Sequence, residues 1–194
     1  MRKLTLLLLF TILSIVLWAQ HLEQQAQQLP LHSSQNPDKQ IITGAERTEI
    51  YLPLLEGKRV AICGNQSSLI GKTHLVDSLI SRKVNVVKIF SPEHGFRGNA
   101  EAGAHISSST DSETGLPIIS LYGKNKKPTA EQMKGIDLII FDIQDVGCRF
   151  YTYISTLHYV MEAAAENNVD VLILDRPNPN GYFVDGPVLE EKYK

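Results

Sequence analysis

Cysteine is scarce: Cys63 and Cys148 are the only two in 194 residues, too few for a metal-thiolate cluster or a disulfide framework. A single bridge between them stays open, although Cys63 ends an apolar run and reads first as a small buried residue. An excess of charge is also missing. Nineteen Lys and Arg stand against 21 Asp and Glu, for a formal charge of -2, which leaves no electrostatic footprint for nucleic acid or for an anionic membrane. Neither His-Glu-x-x-His nor Gly-x-Ser-x-Gly occurs, so there is no zinc-hydrolase helix and no serine nucleophile elbow. His94 and His105 flank a glycine-rich stretch without ligand spacing. No metal and no cofactor are expected.

One long hydrophobic run is present, from Leu4 to Trp18. Arg2 and Lys3 precede it and Ala19-Gln20 follow, the charge, apolar centre and small residue of a secretory signal peptide over residues 1–20. A retained membrane anchor is the alternative. The expectation is an exported chain, periplasmic or secreted, with no stable membrane anchor after cleavage. Residues 21–43 are Gln-rich and aperiodic, suited to a polar linker.

From residue 44 onward, short runs rich in Val, Ile and Leu alternate with helical patterns. Strands are predicted at 59–63, 84–90, 117–122, 137–142 and 170–175, nearly continuous in apolar residues as strands buried on both faces are. Helices are predicted over 73–83, 129–134 and 151–167, the last with Ile154, Leu157, His158, Met161, Ala164 and Ala165 on one face. The alternation implies an α/β fold, a parallel sheet with helices on both faces. In such sheets ligands bind beyond the carboxyl ends of the strands. Those ends carry GNQSS, SPEHGFRG, YGKNKK, IQDVGCRFYTY and RPNPNGYFVDGP.

The first, continued as GNQSSLIGKT over 64–73, ends like a phosphate-binding loop, but six residues separate Gly64 from Gly71 where that loop needs four. An ordinary turn is the better reading, with Asn65 and Gln66 as hydrogen-bonding candidates for a polar ligand. In the second, Pro92 keeps Ser91 extended, and Glu93 follows at the rim. A carboxylate at the mouth of a low-dielectric crevice is the kind of group that serves as general acid near neutral pH. A surface ion pair between Glu93 and Arg97 is an equally good reading of the spacing. The fourth loop offers Asp142, Gln144, Asp145, Arg149, Tyr151 and Tyr153; Asp145 reads either as a helix cap or as a ligand contact. The fifth is stiffened by Pro177 and Pro179 and presents Asp175, Arg176, Asn178 and Asn180.

Taken together and in this order, SPEHGFRG, TGLPIISLYG, IDLIIFDIQDVGCRFYTYISTLHYVMEAAAE, LDRPNPNG and VDGPVLE make the chain resemble the exo-β-N-acetylmuramidases of the NamZ type, from about Gly57 to Glu190. The resemblance implies a Rossmann-like catalytic domain over 44–194, stopping before the second, C-terminal domain of that family. It implies release of N-acetylmuramic acid from the non-reducing end of peptidoglycan fragments, so the expected partners are muropeptides or disaccharides ending in that sugar. Glu93 becomes the expected catalytic acid, His94 its assistant, and Asp142 the first choice for the second carboxylate, ahead of Asp145 and Asp175. Arg97, Arg149 and Arg176 are expected around the lactyl carboxylate. Asn65, Gln66, Gln144, Asp145, Tyr151 and Asn178 complete the expected sugar contacts. A non-catalytic glycan-binding fragment, or another hydrolase on the same fold, would fit the same motifs.

Overall fold

The computed structural model describes residues 41–93, 95–98, 109–182 and 184–193. His94, His105, Gly103, the signal segment and linker residues 21–40 therefore lie outside the described residues. Five parallel strands and one short antiparallel strand form the main sheet. They are β1 (Val60–Gly64), β4 (Val86–Ser91), β5 (Ser109–Thr110), β6 (Pro117–Ser120), β7 (Leu138–Asp142) and β8 (Asp170–Ile173), in spatial order β5-β6-β4-β1-β7-β8. Only β5 runs antiparallel, against β6. Every one of the five expected strands is present, with ends shifted by a residue or two.

Central strands β1 and β7 are buried at every position, which is why their sequences show no polar alternation. Their side chains nevertheless divide by parity. Val60, Ile62, Leu138 and Ile140 enter one core with Leu75, Val76 and Leu79 of helix α2 (Leu75–Ser81) and with Tyr51, the last residue of the short α1 (Thr48–Tyr51). Ala61, Cys63, Ile139 and Phe141 enter the other, with Met133 of α3 (Ala130–Met133) and Val160, Ala163 and Ala164 of α4 (Tyr153–Glu166). Helices thus cover both faces, as expected. Thr129 opens α3 with a reciprocal capping box to Gln132, the arrangement that satisfies two orphan amides at once.

Three expectations need correction. The stretch 64–74 is more than a turn into a helix: Leu69–Ile70 (β2) and Thr73–His74 (β3) pair as a small antiparallel hairpin around Gly71, and α2 starts only at Leu75. Helix α4 buries Tyr153, Thr156, Val160, Ala163 and Ala164; of the expected face, Ala164 is buried and Leu157 packs partly against the core. Ile154 and Met161 are exposed, because after Tyr153 the stripe that fits the sheet runs through the small and β-branched Thr156, Val160, Ala163 and Ala164, which approach it closely. Third, α4 begins at Tyr153 with Thr152 at its N-cap position, so Asp145 lies too far upstream to cap it.

Cys63 and Cys148 are both free, and burial pushes the Cys63 thiol up. No helix among the described residues is long and apolar enough to cross a membrane.

Candidate active site

The loops that follow β4 and β6 at the carboxyl edge of the sheet meet the first two turns of α4 around a cavity of about 190 Å³. Glu93, Tyr122, Lys126, Thr152, Ser155 and Tyr159 supply its polar lining. Glu93 is half-buried and is the sole acidic side chain among the described residues that line it. The negative charge of Glu93, ahead of burial and a hydrogen bond between the two side chains, pushes the Tyr122 phenol up. Glu93 also acts by charge on Tyr153, whose hydroxyl is raised chiefly by burial and held by the Asn65 side chain. A chain of polar groups therefore runs from Tyr122 through Glu93 towards Tyr153 and Asn65. Tyr122 carries a readable signal, since it closes the expected strand 117–122 and opens the loop YGKNKK.

Arg97 does not pair with Glu93. Its guanidinium takes Asp77 on α2 at 2.9 and 3.0 Å and Asp111 beside β5 at 2.7 and 2.8 Å. Asp111 is buried, and the Arg97 guanidinium holds its carboxyl down at about 2. This settles the ambiguity of spacing in one respect: the ion pair exists, but with other carboxylates, and Glu93 is left to the cavity. It also takes Arg97 out of the set of free cations. Gly95 and Gly98 both adopt positive φ, and a side chain at Gly98 would press on the Gln66 stem at 3.0 Å. Exposed Gln66 is packed over the turn rather than aimed at the cavity.

Asp142 and Arg176 also change role. Asp142 is fully buried, and Arg176 engages both its oxygens at 2.6 and 3.0 Å while donating to the Leu69 carbonyl at 2.8 Å. Burial pushes the Asp142 carboxyl up, with Arg176 drawing it back. A carboxylate with no exposed surface and both oxygens taken does not reach a sugar in this arrangement. It fixes the fifth loop to β7 and to the β2–β3 hairpin instead.

The remaining expected contacts brace loops to each other. The Gln144 side chain donates to the carbonyls of Asp145 and Pro177 at 2.7 and 3.0 Å. Asp145 accepts from the Gly147 amide at 2.7 Å, an Asx turn. Gly147, at φ 71°, lies so close to Asn178 that any Cβ would overlap it. Asn178 accepts from the Asn180 amide, and Asn180 donates to the Val146 carbonyl. Arg149 donates to the Pro187 carbonyl. Tyr151 is exposed and stands 6.0 Å from the Tyr153 ring.

Asn65 is buried, its Oδ1 accepting from the Ser67 amide and hydroxyl at 2.9 and 2.6 Å. Ser67 accepts from the Gln144 amide, and Ser68 donates to the Asp142 carbonyl. His74 was not foreseen. Its Nδ1 accepts from the Val76 amide at the start of α2, which leaves Nε2–H to donate to the Asn65 carbonyl at 3.0 Å. That arrangement requires a neutral ring, and burial accordingly holds its pKa below the usual histidine value. Protonation therefore favours the unfolded chain. Stability is expected to rise with pH through the range below about 6.5, and His74→Gln to flatten that part of the profile in thermal denaturation between about pH 5 and 7.5.

Among the described residues no group of His, Cys, Asp and Glu is arranged to hold a metal ion.

Comparison with known proteins places these loops in a family. Residues 60–194 match the family described as exo-beta-N-acetylmuramidase NamZ, N-terminal. A peptidoglycan beta-N-acetylmuramidase NamZ from Bacillus subtilis is 48% identical over 148 residues, covering 74% of this chain and 35% of that protein. Crystal structures of two DUF1343 family proteins from Bacteroides fragilis superpose with TM-scores of 0.69 and 0.68, at 51% and 46% identity, covering 80% and 78% of this chain but 40% and 38% of theirs. The chain thus spans well under half the length of the relatives it matches.

Proposed function

Because the chain belongs to the NamZ exo-beta-N-acetylmuramidase family, we propose that it provides the acid-bearing domain of an enzyme that releases N-acetylmuramic acid from the non-reducing end of peptidoglycan fragments. One observation carries the reading. Among the described residues Glu93 is the one acidic group lining a cavity at the carboxyl edge of a parallel sheet, while the neighbouring arginine that spacing offered as its partner is bound elsewhere. A protonated Glu93 delivers its proton to the leaving glycosidic oxygen, the step that lowers the barrier to breaking the bond. The Tyr122 hydroxyl holds the carboxyl towards the cavity. His94, next to it in the sequence, is the proposed assisting group.

Glycoside hydrolysis needs a second group, to activate water or to attack the sugar. Among the described residues none lines the cavity. Asp142 is occluded, and of the other two candidates Asp145 closes a turn and exposed Asp175 lines a separate cavity with it. The run from Leu4 to Trp18 supports export, to the compartment where peptidoglycan lies.

The test uses two proteins, the chain itself and a chimera continued with the C-terminal portion of the Bacillus subtilis relative. Each is incubated with a chromogenic β-N-acetylmuramide and with the matching β-N-acetylglucosaminide. Release from the muramide by the chimera is the expected result. Release of neither chromophore by either protein would overturn the enzyme reading, and binding without release would leave a glycan-binding domain in its place.

A further inference from the structure

N-acetylmuramic acid differs from N-acetylglucosamine by one group, a lactyl ether whose carboxylate is anionic at neutral pH. A site that prefers the first sugar needs a cation within reach of that carboxylate. The three arginines that chemistry nominates are all committed elsewhere: Arg97 to Asp77 and Asp111, Arg176 to Asp142, and Arg149 to the Pro187 carbonyl. Lys126 is different. It lines the Glu93 cavity, and among the described residues it has no ion pair or hydrogen bond.

We propose that Lys126 binds the lactyl carboxylate and is the residue that sets the preference for N-acetylmuramic acid. The inference rests on the muramidase reading above and adds the group that recognises the substrate. Its position is not left to a free surface side chain alone. Adjacent Lys127 is tied to Glu162 and Glu166 of α4 at 2.9 and 2.8 Å, which pins this loop against the helix whose first turns form the opposite wall. That wall suits an anion as well. Thr152 and Ser155 line the cavity, the first turn of α4 contains no acidic residue, and the Thr152 side chain caps no amide, so the positive end of the helix is not neutralised from within.

Size and chemistry agree. At about 190 Å³ the cavity is smaller than the ~300 Å³ at which sites for whole drug-sized ligands begin, and it accommodates part of one sugar. The lactyl ether is on C3 and the scissile bond on C1, with only C2 between them. One small cavity can therefore hold the carboxylate at Lys126 and the glycosidic oxygen at Glu93.

The deciding measurement is the affinity of the chain for N-acetylmuramic acid and for N-acetylglucosamine, by isothermal titration or by NMR titration, in the wild type and in Lys126→Met, Lys126→Arg and Lys124→Met. Lys126→Met is expected to weaken N-acetylmuramic acid at least roughly tenfold, as loss of a charge-assisted hydrogen bond does, and to leave N-acetylglucosamine unchanged. Lys126→Arg keeps most of the preference. Lys124→Met, in the same loop but outside the cavity lining, keeps all of it. A Lys126→Met protein that still prefers N-acetylmuramic acid by the wild-type ratio overturns the role of Lys126 and leaves the muramidase reading standing. A wild type with no preference also overturns the role of Lys126, and release from the muramide by the chimera then decides the muramidase reading separately.

Discussion

Glu93→Gln in the active chimera is expected to lower kcat on a β-N-acetylmuramide by roughly 10²- to 10⁴-fold, the contribution of a positioned general acid, with little change in affinity for the sugar. Gln keeps the size of the side chain and its place beside Tyr122 but has no proton to give. The size of the effect depends on the leaving group. A nitrophenolate departs with little help, so the loss is smallest there; an alkyl or sugar leaving group needs the proton and loses most. Comparing the two substrates separates loss of acid catalysis from general damage to the cavity, which lowers both equally. Equal rates for variant and wild type on the poor leaving group would remove Glu93 from the mechanism.

Arg176→Met is expected to be the most damaging change to stability outside the apolar core. It leaves the Asp142 carboxylate, with no exposed surface, without its partner, and breaking a buried pair in this way costs about 3–5 kcal/mol. The same residue also loses its bond to the Leu69 carbonyl, so the fifth loop and the β2–β3 hairpin come apart together. In the variant the loss is greatest at neutral pH. There the carboxylate must either stay charged in the interior or take up a proton at a cost, and the deficit shrinks as pH falls and protonation becomes easy. Adding Asp142→Leu should recover much of the deficit, since an apolar pair of similar volume needs no compensation. Urea unfolding of the two single variants and the double variant checks this. A cost below about 1 kcal/mol for Arg176→Met would mean that the pair is not what fastens these loops.

The strands were legible because burial on both faces demands apolar residues, and β1 and β7 meet that demand at every position but the last of β7, Asp142. The loops that line the candidate cavity were legible for the same reason, since any polar residue just beyond such a run stands out, and Glu93 is nominated in this way. What could not be read was the pairing of charges. Asp77 and Asp111 lie 20 and 14 residues from Arg97, and Asp142 lies 34 from Arg176. Nothing in their local spacing distinguishes a carboxylate facing an arginine from one facing a ligand. Three arginines looked like substrate contacts because a guanidinium suits a sugar acid and an aspartate equally well. Lys126 went unnoticed for the opposite reason: a lysine beside Asn125 and Lys127 in a polar loop looks like ordinary solvated surface. The packed face of α4 is only partly legible: hydrophobic identity points to Ile154 and Met161, whereas close approach to the sheet selects Thr156 and Ala163 beside the expected Ala164.

The Arg97–Asp111 contact also closes a ring of chain, with both ends fastened by one guanidinium. For a segment held at both ends, each doubling of its length costs only about 0.6 kcal/mol in closure entropy. Fastening at Arg97 and Asp111 thus makes the fold tolerant of the length of sequence between them, and Glu93 lies outside that stretch.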